Sequence, residues 1–181
     1  MGINLNIYNA ILFNIAWIVC VLGGDTFAVF TLIALLYMHV RHISGDVKEL
    51  LVAFFLMLVG VIVDTALMYT GVMVLMDSES IFPPLWLLCL WGAFATTLNY
   101  CMSWFHSRLL LASVLGGVAG AGSYIAGIRL SSFEASYSPM VTFAILCVCW
   151  MLIFPFCLWL ARTIKFYKAK GFEPTDKLRF L

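Results

Sequence analysis

Apolar segments of about twenty residues recur along this chain, and a helix needs about 20 such residues, at about 1.5 Å rise each, to cross a hydrocarbon core. Composition points the same way. Of 181 residues, 64% are hydrophobic and 10% charged, against about 25% charged in an ordinary soluble domain. So few charges cannot cover a 20.3 kDa particle in water. Disorder needs the opposite bias, low hydrophobicity with high charge. An integral membrane protein remains.

About six segments are long enough to span. The first, 6–23, stops at Gly23-Gly24-Asp25, and the second, 26–40, is short. The third begins near Lys48 and continues to about Met76. The fourth starts after Pro83-Pro84 and ends near Phe105. The fifth covers 107–130, and the sixth runs from about Pro139 to Ile164, with Pro155 expected to kink it. The expected fold is therefore all-α, a polytopic bundle of about six transmembrane helices. Residues 1–164 form its single domain and 165–181 a basic cytoplasmic tail. The opening MGINLNIYNA lacks the basic region of a cleavable signal, so the first helix is expected to stay.

Lys and Arg in short loops set orientation. Arg162, Lys165, Lys168, Lys170, Lys177 and Arg179 follow the sixth segment, Arg41 and Lys48 flank the second loop, and Arg108 sits in the fourth. With both termini inside, these nine face the cytoplasm and Arg129 alone lies outside. The loop Asp77-Ser78-Glu79 on the opposite side is acidic. The expected location is a bacterial inner membrane. The net charge of +1 gives no reason to expect nucleic acid. Six cysteines lie in or beside apolar segments, where thiols act as small hydrophobes rather than as a disulfide framework.

Polar residues inside these segments carry the functional question. In the fourth, Gly92, Thr96, Asn99, Ser103 and His106 recur at helical spacing and are expected on one face turned into the bundle. The fifth repeats the pattern with Gly116, Gly120, Ser123 and Gly127, the first with Asn6, Ala10, Asn14 and Trp17, the third with Gly60, Asp64 and Gly71. Small residues let membrane helices approach closely, so Gly60, Gly92, Gly116, Gly120 and Gly127 read as packing positions. Asp64 stands apart. It is about 24 Å along the helix from Lys48, near the midplane, and no Lys or Arg shares its depth. An acid there is costly, so it should be protonated or hydrogen-bonded to Asn14, Thr96, Thr97 or Asn99. Two readings stay open: a neutral staple between helices, or a proton carrier, ligand contact or catalytic acid.

His39, His42 and His106 map to the cytoplasmic face. His39 and His42, with Asp46 and Glu49 nearby, and His106 are the candidates for a metal site, though none is expected. Solvated interface histidines are the simpler reading, and three are too few for the histidine boxes of membrane desaturases. There is no serine-nucleophile motif, phosphate loop or haem pattern, so no cofactor is expected.

The stretch Leu90-Trp91, then Phe94-Ala95-Thr96-Thr97-Leu98-Asn99, with Gly116, Gly117, Gly120 and Tyr124-xx-Gly127, resembles an uncharacterised bacterial inner-membrane family, a domain of unknown function. Asn14-xx-Trp17, Gly60-xxx-Asp64 and Pro84-Leu85-Trp86 also fit its pattern, and the resemblance covers nearly the whole chain. Ala121 or Gly122 stands where the pattern often has Pro. The resemblance implies about six spans, and members often encoded near cyclopropane-fatty-acid-synthase-like and flavin-dependent amine-oxidase-like genes. By that association the expected function is an accessory or enzymatic component of membrane-lipid modification. A small proton-coupled carrier using Asp64 and a membrane scaffold subunit are the alternatives. Expected partners are membrane lipids, with a membrane protein or a second copy as further candidates. A reporter that works only in the cytoplasm, fused after Leu181, is expected to be active. Activity instead from a periplasm-only reporter would reverse the orientation.

Overall fold

The computed structural model describes residues 4–76, 80 and 82–167. The basic positions Lys168, Lys170, Lys177 and Arg179, most of the 165–181 tail, and the acidic loop at 77–79 lie outside them. The described part is mostly helical, with turns and one pair of two-residue strands between the helices. Its order is α1 (Leu5–Met38), a π-helical turn (His39–Ser44), α2 (Lys48–Tyr69), β1 (Val74–Leu75), α3 (Leu85–Leu98), a 3₁₀ turn (Ser103–Ser107), α4 (Leu109–Leu130), β2 (Phe133–Glu134) and α5 (Pro139–Phe166). Four helices are long and apolar enough to cross a membrane: Leu5–Ser44, Lys48–Tyr69, Leu109–Leu130 and Pro139–Phe166. Leu85–Leu98 is apolar but shorter.

The first two expected segments thus fall within one run of helix. That run breaks at Gly24, whose φ of 69° and ψ of −171° belong to a region that essentially only glycine enters. The break folds α1 back on itself. Asn9, in the first limb, donates from Nδ2 to the Thr96 carbonyl and accepts from the Cys101 amide. At the turn, Asp25 accepts from the Trp86 amide at 3.0 Å, an acceptor supplied to the start of α3 from another helix. His39, after the second limb, lies edge-on to Tyr100 with ring centroids 4.7 Å apart. Asn9 and His39 would stand about 45 Å apart on a straight helix, yet both touch residues 96–101.

Two expected helix ends move inward. The third segment stops at Tyr69, seven residues early, because Gly71 takes φ 74° and the Val72 and Gly71 amides return to Leu67 and Met68 carbonyls. That is a Schellman stop. The fourth ends at Leu98 rather than near Phe105, and the chain turns before the 3₁₀ segment. Helix α5, by contrast, runs on through Pro155 to Phe166. Central α3 is the most covered helix, with ten of its 14 residues buried. Beyond it β1 and β2 pair antiparallel, Val74 with Glu134 and Leu75 with Phe133, closing one end of the bundle.

Replacing Gly24 by Ala is expected to cost about 1–3 kcal/mol through backbone strain. Gly122→Ala, at an exposed position with no heavy atom within 4 Å, should be neutral. Thermal unfolding in detergent distinguishes them, and equal midpoints would contradict the strained turn.

Candidate functional site

A partly open cleft of about 270 Å³ lies between the first limb of α1 and α4, with α3 and α5 behind it. Its wall follows α4 from Leu115 to Ile128, about 20 Å at 1.5 Å per residue. The lining is almost wholly apolar and rich in rings, among them Phe13, Trp86, Phe94, Phe133 and Phe154. Across it, Trp17 Nε1 donates to Ser123 Oγ at 2.9 Å.

Midway along the cleft, Trp91 and Tyr124 form part of the wall, and Asp64 sits behind them, fully buried on α2. Trp91 Nε1 donates to Asp64 Oδ2 at 2.8 Å, and the Tyr124 hydroxyl donates to Oδ1 at 2.5 Å. One carboxyl group therefore joins α2, α3 and α4. Trp91 stacks on Trp150 of α5 at 5.4 Å and 12°, which brings the last helix into the same layer.

The expected partners of Asp64 are elsewhere. Asn14 is exposed and donates back to Ala10 of its own helix. Thr96 and Thr97 are buried, but their hydroxyls return to the Ala93 and Phe94 carbonyls three residues earlier. Such short back-bonds are the usual resort of a hydroxyl inside a helix. Asn99 lies past the end of α3, so the five-residue stripe does not share a helical face. Gly92 and Thr96 are buried on α3, while Ser103 and His106 belong to the 3₁₀ turn. In the first limb the inward amide is Asn9, three residues from Asn6 and five from Asn14, outside the expected stripe. Spacing gave no signal for Tyr124 or Trp91, although both stand in the family-like pattern.

The glycines sort by their neighbours. A Cβ on Gly60 would lie 2.4 Å from Trp91, one on Gly116 2.2 Å from Phe154, and one on Gly120 2.3 Å from Trp150. At Gly92 it would meet Leu32 at 2.9 Å. Gly127 is buried and lines the cleft, yet no heavy atom lies within 4 Å of its would-be Cβ.

A second polar cluster occupies the end where Asn9 and His39 meet residues 96–101. Glu49, 3% exposed, accepts on Oε1 from Asn99 at 3.3 Å and Tyr100 at 3.4 Å, with Lys165 Nζ at 3.5 Å. His39 is fully buried, and its Nε2 stands 3.8 Å from Glu49 Oε2, too far for a hydrogen bond. Burial, with Glu49 next, pushes the Tyr100 phenol up to about 12. His42 is exposed, and His106 contacts the Leu98 carbonyl through Nε2 at 3.0 Å. The three histidines are thus not brought together, and no trio of His, Cys, Asp or Glu suited to a metal occurs among the described residues.

The family described as "Protein of unknown function (DUF2878)" matches residues 6–156. The chain belongs to that family. Neither a curated protein nor a solved structure matches it.

Asp64→Leu should leave the Tyr124 hydroxyl and Trp91 N–H buried without acceptors, at about 1–3 kcal/mol each. Asp64→Asn retains one acceptor oxygen and should lose less. Expression and unfolding midpoint in detergent report the order wild type, Asn, Leu. A Leu variant as stable as wild type would mean the carboxyl does not join the helices.

Proposed function

We propose that this protein crosses a bacterial inner membrane six times with both termini cytoplasmic. We further propose that it serves membrane-lipid (fatty-acid) modification, as an accessory or enzymatic component, by holding a lipid hydrocarbon chain in the cleft. The returning limbs of α1 support two crossings there. Arg41, Lys48, Arg108, Arg162 and Lys165 flank the end carrying Glu49, and Arg129 the other, the bias that marks a cytoplasmic face.

The cleft carries the lipid reading. Its wall, about 20 Å long, spans more than one leaflet of a hydrocarbon core about 30 Å thick. An apolar cavity does not hold water, and one left unfilled forfeits the dispersion contacts of its lining. In a bilayer the abundant matching material is lipid chain. Asp64, behind the wall with both oxygens already accepting, favours this reading over a proton-coupled carrier. A pure scaffold has no use for a cleft. The gene association implied by the family resemblance points the same way.

Gly127→Leu puts a side chain into the cleft where no protein atom stands in its way. Lipid co-purifying with the variant is expected to fall to less than half the wild-type amount, with little change in unfolding midpoint, and a deletion strain should show an altered acyl-chain profile. Equal lipid in wild type and variant, or none in either, would remove the reading.

A further inference from the structure

We infer that the cleft takes a lipid with an anionic head, and that the head lies at the Arg108 end. This rests on the lipid reading above and adds to it a direction and a charge.

The two ends of the cleft differ in closure. At one, Met73 next to β1 and Phe133 of β2 are buried, and Trp86 meets Phe133 edge-on at 5.9 Å. The Met76 amide reaches the Ser132 carbonyl at 2.8 Å and ties the cap shut. A lipid's terminal methyl fits this end, since nothing polar has to enter it. At the other end the wall finishes at Met102 and Phe105. Trp104 stacks on Phe105 at 4.0 Å, and the Arg108 guanidinium lies 5.5 Å over Trp104 while donating to its carbonyl. One aromatic layer therefore separates the hydrocarbon slot from an exposed cation, the arrangement an amphiphile's head and chain require.

They differ in charge as well. Arg162 and Lys165 stand close enough to His106 that, after burial, they help hold its imidazole below the usual value. Among the described residues the acids on this side are Glu49, paired with Lys165, Asn99 and Tyr100, and Asp46, which accepts from the Lys48 amide. Against them stand Arg41, Lys48, Arg108, Arg162 and Lys165, a net positive surface, with Arg108 and Arg162 exposed and in no ion pair among the described residues. At the capped end the described charges are Asp25 and Glu134 against Arg129, a net negative surface. An anionic head is attracted to the first end and repelled from the second. Phosphate diester and carboxylate share the required chemistry, so a phospholipid and a free fatty acid are both sources.

The test is native mass spectrometry of the full chain in neutral detergent, titrated separately with dioleoyl phosphatidylglycerol, dioleoyl phosphatidylcholine and oleate. Retention of phosphatidylglycerol about fivefold above phosphatidylcholine is expected, the effect of roughly one basic group on an anionic lipid. Arg108→Gln should erase most of that preference, and Arg129→Gln should leave it. Oleate retained more than phosphatidylglycerol assigns the site to free acids, and oleate retained less assigns it to phospholipids. Equal retention of the two phospholipids overturns the inference, as does a preference lost in Arg129→Gln but kept in Arg108→Gln. Gly127→Leu separates this from the underlying reading. If it displaces all three lipids while no head preference exists, the chain site stands and the head site falls. If no lipid binds at all, both fall.

Discussion

A bilayer core offers no solvent for a carboxyl group, so Asp64 has to be satisfied by the protein itself. Its two oxygens take a phenol from α4 and an indole from α3. These donors come from helices widely separated in sequence, so the bond pair fixes their rotation as well as their proximity. Trp91 is then oriented to stack on Trp150, and Tyr124 packs at 5.7 Å against the same ring. The layer that forms the middle of the cleft wall follows from one buried acid.

Rings and glycines complete that layer. Large aromatic residues bring most of the contact area, and each needs a place to lie against a neighbouring backbone. Gly60 makes room for Trp91, Gly120 for Trp150, and Gly116 for Phe154. The small residues of α4 therefore bring α5 close both through rings and, at Gly117, against the α5 backbone at Cys147. Gly127 has no ring above it, and there the same run of small residues opens into the cleft.

The apolar segments, the turn at Gly23-Gly24-Asp25 and the isolation of Asp64 are all legible in sequence, because each depends on composition or local chemistry. The partners of Asp64 are not. Thr96, Thr97 and Asn99 have the right chemistry and depth. The threonine hydroxyls, however, find carbonyls in their own helix, and Asn99 is carried past the helix end to Glu49 and Ala161. Tyr124 and Trp91 look like packing residues in sequence, since only tertiary rotation turns their polar atoms toward the acid. The cluster of His39 and Glu49 is hidden for a related reason. Both read as solvated interface residues until the π-helical turn and the start of α2 enclose them.

Both ends of α3 are finished by side chains from α1. Asp25 receives the amide at its start, and Asn9 pairs with the Thr96 carbonyl and Cys101 amide at its close. Those two residues are 16 apart, Asn9 on the first limb and Asp25 just past its end at the Gly24 break, about 24 Å at 1.5 Å per residue, close to the length of the 14-residue helix they serve. The limb is a ruler made before the object it measures. Both fixed points precede α3 in the chain, so they are synthesised before the helix they serve. A helix of 14 residues, too short to span comfortably by itself, is given its depth and its register by these two contacts with α1.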